Sequence, residues 1–312
     1  MSETFAVDPA DELTARNLTP HVALGRAIMV VNPLSGGVGP GAADEARAIL
    51  AEYPLEAGVI ELEAGGFDAA VAAALATRPD LLLILAGDGT AGTIAASVGP
   101  DGPLIAPLPG GTMNMLPKAL YGTTDWKQAL RDTLERGEVR DISGGEVDGH
   151  TFFCAAILGS PALWAPAREA VRHGRWRLAW LHARRALRRA FGGKLRYGLD
   201  GGPMRRTEAL VLITPLISSA MDVDGGLEAA AMSPSGAAEV FRLAAHALFD
   251  DWRHDPAVAA RTVRRAALKA RSRIPAVIDG EPILLGHEAV AAFRPRAFRA
   301  LAPRLDAAGA RT

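Results

Sequence analysis

Three short apolar runs, each halted by a glycine-rich loop, constrain this chain more than any other feature. They are Arg26–Val31, Leu81–Ala86 and residues 103–109, with a more mixed run at 58–62. Helix-forming stretches at 42–51 and 67–77, and a third containing 94–98, separate them. Strands alternating with helices of about ten residues make βαβ units, and such units close on a parallel sheet covered on both faces. Ligands of these sheets bind at the loops beyond the carboxyl ends of the strands. Function is therefore to be sought in the glycine-rich loops.

From about residue 139 the pattern changes. Paired short runs flank Asp148-Gly149-His150 (139–147 and 151–157) and Asp200-Gly201-Gly202-Pro203 (194–199 and 207–214), as the arms of hairpins do. Further strands are expected at 266–273, Pro275–Ile278, 283–285 and 289–293, and helical material at 162–190 and 237–250. The organisation expected is an extension over 1–25, a doubly wound α/β domain over 26–140 and a mainly antiparallel β domain over 141–293. A C-terminal segment over 294–312 packs back on the first domain. The 312 residues suffice for two such domains.

Composition narrows the classes. Hydrophobic residues at 49% and charged residues at 22% exclude a disordered chain. With 34 Lys and Arg against 35 Asp and Glu, the near-zero net charge argues against nucleic acid as a partner. The single cysteine, Cys154, excludes a disulfide framework or a multi-cysteine zinc site and suits a reducing cytoplasm. The acidic N-terminus lacks the basic and apolar regions of a signal peptide, and no apolar run approaches the ~20 residues that span a bilayer.

The first loop is Asn32-Pro33-Leu34-Ser35-Gly36-Gly37-Val38-Gly39-Pro40-Gly41, between a strand and a helix, where backbone N–H groups favour an anion. It lacks the Gly-Lys-Ser/Thr of a P-loop, and Gly37, Gly39 and Gly41 are one residue short of a dinucleotide fingerprint. An ordinary βα turn with surplus glycine fits it too. The second is Gly87-Asp88-Gly89-Thr90, which brings one carboxylate to a strand end; a tight turn with Asp88 accepting backbone hydrogen bonds is the plainer alternative. The third, Pro109-Gly110-Gly111-Thr112-Met113-Asn114, pairs close backbone approach with two polar side chains. Three such loops after parallel strands should line one crevice.

These motifs, in this order and spacing, resemble the catalytic domain of the diacylglycerol kinase family, which includes sphingosine and ceramide kinases. The segment from Ala220 through Asp222 and Asp224 to Leu227 is similar to the family's acidic Asp-Gly-x-Leu motif, and Asp279-Gly280-Glu281 to its late Asp-Gly-Glu. The resemblance covers roughly residues 25–300. It implies an α/β nucleotide-binding domain related to NAD kinases and phosphofructokinases, a β-sandwich domain, and ATP in the cleft between them. By the same resemblance Asn32, Pro33, Ser35, Gly36 and Gly37 hold phosphates together with Gly87, Asp88, Gly89 and Thr90. Gly111, Thr112 and Asn114 lie near the nucleotide, and Asp224 anchors Mg²⁺. Glu281 is the general base that takes the proton of a lipid hydroxyl; Asp88 is its rival and is assigned to the phosphate and metal side. A carboxylate beside a Mg²⁺-bound triphosphate suits that chemistry. Ala86, Met113, Met115, Pro117 and Glu63 depart from the family pattern, Met115 by removing an acid, and this keeps alive a regulator that binds without catalysing. A soluble kinase of a small hydroxylated metabolite is a second alternative.

Between Arg168 and Arg196 the chain carries ten cations against one acid, Glu169, interleaved with Trp176, Trp180 and leucines. Such a stretch suits an anionic membrane surface, with nucleic-acid binding and a solvated helix face as alternatives. The resulting expectation is a lipid kinase, diacylglycerol its default substrate, peripheral at the cytoplasmic face of the membrane. A homodimer is compatible with it.

Overall fold

The computed structural model describes residues 17–63, 66–159, 195–218, 225–232 and 258–305. The chain divides into two compact units. The first comprises Met1–Gly87, Pro103–Arg140 and Ala300–Thr312; the second comprises Asp88–Gly102 and Asp141–Arg299.

In the first unit β1 (Arg26–Val31), β2 (Glu56–Glu61), β3 (Leu81–Ala86) and β4 (Leu104–Pro109) pair in parallel in the order β2-β1-β3-β4. Every residue of β3 and β4 is buried, which is why these strands are apolar runs without alternation. The helices are α1 (Ala42–Leu50), α2 (Phe67–Ala76), α4 (Met115–Tyr121) and α5 (Trp126–Arg136); α3 (Asp88–Val98) falls in the second unit. Helix α5 starts where Asp125 accepts from the N–H groups of Lys127 and Gln128, and buries Trp126, Ala129, Leu130, Thr133 and Leu134 on one face. Thr19, within the span expected as an extension, is buried and tied to Leu134 and Gly137 by its N–H and hydroxyl.

The second unit is antiparallel. Strands β5 (Gly137–Val147), β6 (His150–Phe152), β8 (Leu195–Leu199), β9 (Arg205–Thr207), β13 (Arg265–Lys269) and β16 (Glu288–Pro303) form one sheet there, the ends of β5 and β16 lying in the first unit. The other runs β12 (Val258–Val263), β11 (Leu227–Met232), β10 (Ala209–Ile213), β7 (Ala155–Gly159), β14 (Pro275–Ile278), β15 (Glu281–Leu284). Their inner faces share one core, with Phe152, Leu158, Leu212, Leu268 and Ile278 among its members. This is a sandwich.

Asp148-Gly149, Asp200-Gly201 and Asp279-Gly280 all have positive φ at both residues, the conformation of two-residue hairpin turns that match strand twist. Each aspartate also clamps a neighbouring strand: Asp148 accepts from Val290 N–H, and Asp200 from Arg264 and Arg265.

Several strands differ from expectation. The run 151–157 breaks at Phe153-Cys154 and 207–214 breaks at Glu208, because in each case the chain leaves one sheet and enters the other. The stretch 289–293 is part of the 16-residue β16, whose last four residues are buried. Helices α4 and α5 and strands β11 and β12 have no counterpart among the elements expected from sequence. The helices expected at 162–190 and 237–250 lie outside the described residues.

Candidate active site

The sheet order makes the gap between β1 and β3 a topological switch point, since β1 leads outward to β2 on one side and β3 to β4 on the other. Open α/β sheets bind ligands beyond the carboxyl ends of strands at such a point. The three glycine-rich loops meet there. Gly37 N–H donates to Gly110 O at 3.0 Å, Gly110 N–H to Ala86 O at 3.1 Å, and Gly87 N–H to Ser35 Oγ at 3.0 Å.

The glycines are required by this stitching. A Cβ on Gly37 would stand 2.7 Å from Gly111 O, and one on Gly110 would stand 2.7 Å from Ala86 N. On Gly36 it would meet Thr112 Oγ1 at 3.2 Å. Asn32 holds its own turn by accepting from Leu34 N–H at 3.1 Å, and Pro33 beside it is half-buried. Ser35, because its Oγ accepts from Gly87, keeps its hydroxyl proton for another acceptor.

Asn114 is engaged with the third loop's own backbone. It is buried, in the left-handed region at φ 50°, with Oδ1 accepting from Gly111 N–H at 2.7 Å and Nδ2 donating to Gly111 O at 2.9 Å. It therefore shapes the Gly110-Gly111 backbone. Thr112 is exposed.

Asp88 is the first residue of α3, with Gly89 and Thr90 in the same turn. A Cβ on Gly89 would lie 3.6 Å from Glu281 Oε1, so Gly89 and the exposed Glu281 face one another. Glu281 begins β15 just after the Asp279-Gly280 turn, opposite Ile278. Asp279 fixes that turn. Its Oδ2 accepts from Phe153 N–H at 2.6 Å and its Oδ1 from Cys154 and Ala155 N–H, both at 2.9 Å. The segment that donates these N–H groups is held in turn by Thr214, whose hydroxyl donates to Phe153 O at 2.6 Å. Burial pushes the Asp279 carboxyl above the usual carboxylate range; the three N–H donors oppose this and the Asp88 charge adds to it. The buried Cys154 thiol is pushed up by burial first, then by Asp279 and Asp88.

Asp224 and the stretch from Arg168 to Lys194 lie outside the described residues. Among the described residues no three His, Cys, Asp or Glu side chains gather as a metal site, and no helix is long and apolar enough to cross a membrane. The Asp279 clamp was missed in sequence as a long-range device; its only signal was the Asp-Gly dipeptide, which announced a turn.

The first unit is thus a parallel sheet with loops joined at its switch point, and the second an antiparallel sandwich bearing an Asp-Gly-Glu hairpin. The family comparison adds that residues 26–147 match the model of the diacylglycerol kinase catalytic domain. The structure of a diacylglycerol kinase from Bacillus anthracis str. Sterne is similar over 90% of this chain and 98% of its own, with 13% identity and a TM-score of 0.63. Two structures of proteins provisionally assigned as diacylglycerol kinases from the same organism share 14% and 15% identity, each with a TM-score of 0.66. They align over 90% and 89% of this chain and 98% and 97% of theirs. At these identities the likeness is one of fold. No curated protein sequence matches the chain.

Proposed function

We propose that the protein transfers the γ-phosphate of ATP to a lipid hydroxyl, diacylglycerol by default, at the cytoplasmic surface of a membrane. The observation that carries this reading is the facing pair of Gly89 and Glu281, within the helical turn that Asp88 opens. A Cβ on Gly89 would stand only 3.6 Å from the Glu281 carboxylate. Gly87, bonded covalently to Asp88, is the residue that Ser35 ties to the first loop. Asp88 thus opens the helix whose next residue faces a carboxylate suited to a proton.

In this reading Asn32, Pro33 and Gly36–Gly37 shape a backbone cradle for phosphates, and Ser35 donates its remaining proton there. Glu281 accepts the proton of the attacking hydroxyl. Asp88 stands on the phosphate and metal side. Mg²⁺ commonly keeps several waters and takes one or two carboxylates plus substrate phosphates, so Asp88, with Asp224 as a second candidate, fits an ion that arrives with ATP. When bound, it neutralises charge on the transferring phosphoryl group. The cations between Arg168 and Arg196 support a bilayer as the place of reaction.

The test is transfer of label from ATP to a mixed lipid extract and to detergent-dispersed short-chain diacylglycerol, beside ATP binding by calorimetry. Labelled lipid is the expected result. Binding with no transfer to any lipid overturns the kinase reading in favour of a regulator. Transfer only to small soluble alcohols overturns the lipid assignment.

A further inference from the structure

The outer face of the second unit's sheet carries charge that the fold leaves unpaired. Directly opposite residues of antiparallel strands project from the same face. Register sets Arg206 opposite Arg196, Arg196 opposite Lys269, and Lys269 opposite Glu288, giving three cations and one anion in a row across β9, β8, β13 and β16. Lys269 takes Glu288 at 2.8 Å. Arg196 and Arg206 are exposed, stand against one another, and make no ion pair among the described residues. Like charges placed opposite on a sheet oppose its stability.

The next outward row is Gly198, Ala267 and Val290, of which Val290 is 37% exposed, and the row after it opens with exposed Arg265. The intervening residues Tyr197, Leu268 and Ala289 are buried in the core. Met204 Sδ fills the space over Gly198, where a Cβ would stand 2.9 Å from it, so the middle of the face is apolar, with long cations on both sides.

We propose that this face docks the protein on an anionic lipid bilayer. Charge complementarity requires a partner bearing several anions, and an apolar middle of Met204, Ala267 and Val290 set between cations suits the interface of a bilayer. Single-stranded nucleic acid would want aromatic platforms, yet Tyr197, Phe293 and Phe298, the aromatic residues of these strands, are all buried. A protein partner would want a central aromatic or arginine anchor in a pocket, and the central row has none. The residues between 168 and 194 bring nine more cations into the chain just before β8. Choosing a bilayer among polyanions rests on the lipid-kinase reading.

The experiment is co-sedimentation of the full chain with vesicles of phosphatidylglycerol and phosphatidylcholine, and with phosphatidylcholine alone, across a salt series. Arg196→Gln with Arg206→Gln is compared with wild type and with the charge reversal Arg184, Arg185, Arg188 and Arg189→Glu. A cation near such a surface is worth roughly fivefold in partition, so the double variant should bind anionic vesicles about 30-fold more weakly at low salt. Its thermal midpoint should not fall, since the substitution relieves repulsion. Unchanged sedimentation of the double variant, or a loss confined to the 184–189 reversal, overturns the proposal. Binding to duplex DNA that the double variant alone abolishes overturns it as well. Transfer to dispersed short-chain lipid is measured in parallel: transfer without vesicle binding sinks the docking face alone, and vesicle binding without transfer sinks the kinase reading alone.

Discussion

At the scale of single residues, the second unit holds two carboxylates two positions apart with opposite environments. Glu281 is exposed and faces Gly89, whereas Asp279 is enclosed by three backbone N–H groups. Glu281→Gln keeps shape and cannot take a proton. It should lower turnover ~10²–10⁴-fold and leave ATP affinity, measured by calorimetry, nearly unchanged. Equal turnover of both proteins would demote Glu281 to a turn residue and make Asp88 the leading base. Asp279→Asn should act through structure. Its amide turns an N–H toward Phe153 N–H and strands a donor, costing about 1–3 kcal/mol of stability by urea unfolding. The same variant reports a sign. A carboxyl raised in the folded state binds its proton more readily there than in the unfolded chain, so it contributes stability at low pH that is lost as pH rises from the ordinary carboxylate range through the raised value. The wild type should show that decline and Asp279→Asn should lack it.

At the scale of elements, the loop stitching makes a sharp contrast between glycines. Gly110→Ala drives a Cβ to within 2.7 Å of Ala86 N and 2.9 Å of Ala86 O, backbone atoms of the fully buried β3 that have nowhere to go. It should cost about 1–3 kcal/mol and abolish ATP binding. Gly39→Ala meets nothing within 4 Å and should stay within ~0.5 kcal/mol of wild type. That contrast also marks what the sequence could disclose. The bounds of β1 and β3 were legible because both runs are apolar, after Arg26 in β1, and end in Asn-Pro or Gly, and the convergence of the loops followed from strand polarity alone. Helix α4 was hidden by Pro117, which sits in its first turn where no N–H is needed, and β16 by Arg294, Pro295 and Arg296, which read as a polar tail. The breaks at Phe153-Cys154 and Glu208 were hidden because leaving one sheet for another preserves the apolar pattern. The Asp279 clamp spans 126 residues to Phe153, and no local pattern encodes such a distance.

At the scale of the molecule, the first unit, which holds the first and third loops and Gly87 of the second, is not confined to the family-matched span of residues 26–147 and includes Ala300–Thr312. Ala300 lies parallel beside Ile105 of β4, and Ala300, Leu301 and Ala302 are all fully buried. Leu301 packs where Gly137 has no side chain; a Cβ there would come within 2.8 Å of Leu301 Cγ. These last residues thus cover an edge of the parallel sheet and fill its core. A buried leucine truncated to alanine typically costs ~2–5 kcal/mol, against 5–15 kcal/mol of total stability for a domain. Leu301→Ala should therefore loosen the first unit selectively. Hydrogen exchange should quicken at the amides of β3 and β4, and ATP affinity should fall, while amides of β10 and β14 keep their protection. Arg296→Ala, an exposed site five residues earlier in the same strand, should change neither, since its ion pair with Asp101 is a surface pair worth about 0–1 kcal/mol. If Leu301→Ala leaves exchange in β3 and β4 untouched, the end of the chain is not part of that unit's core, and a fragment ending before it should bind ATP as the full chain does.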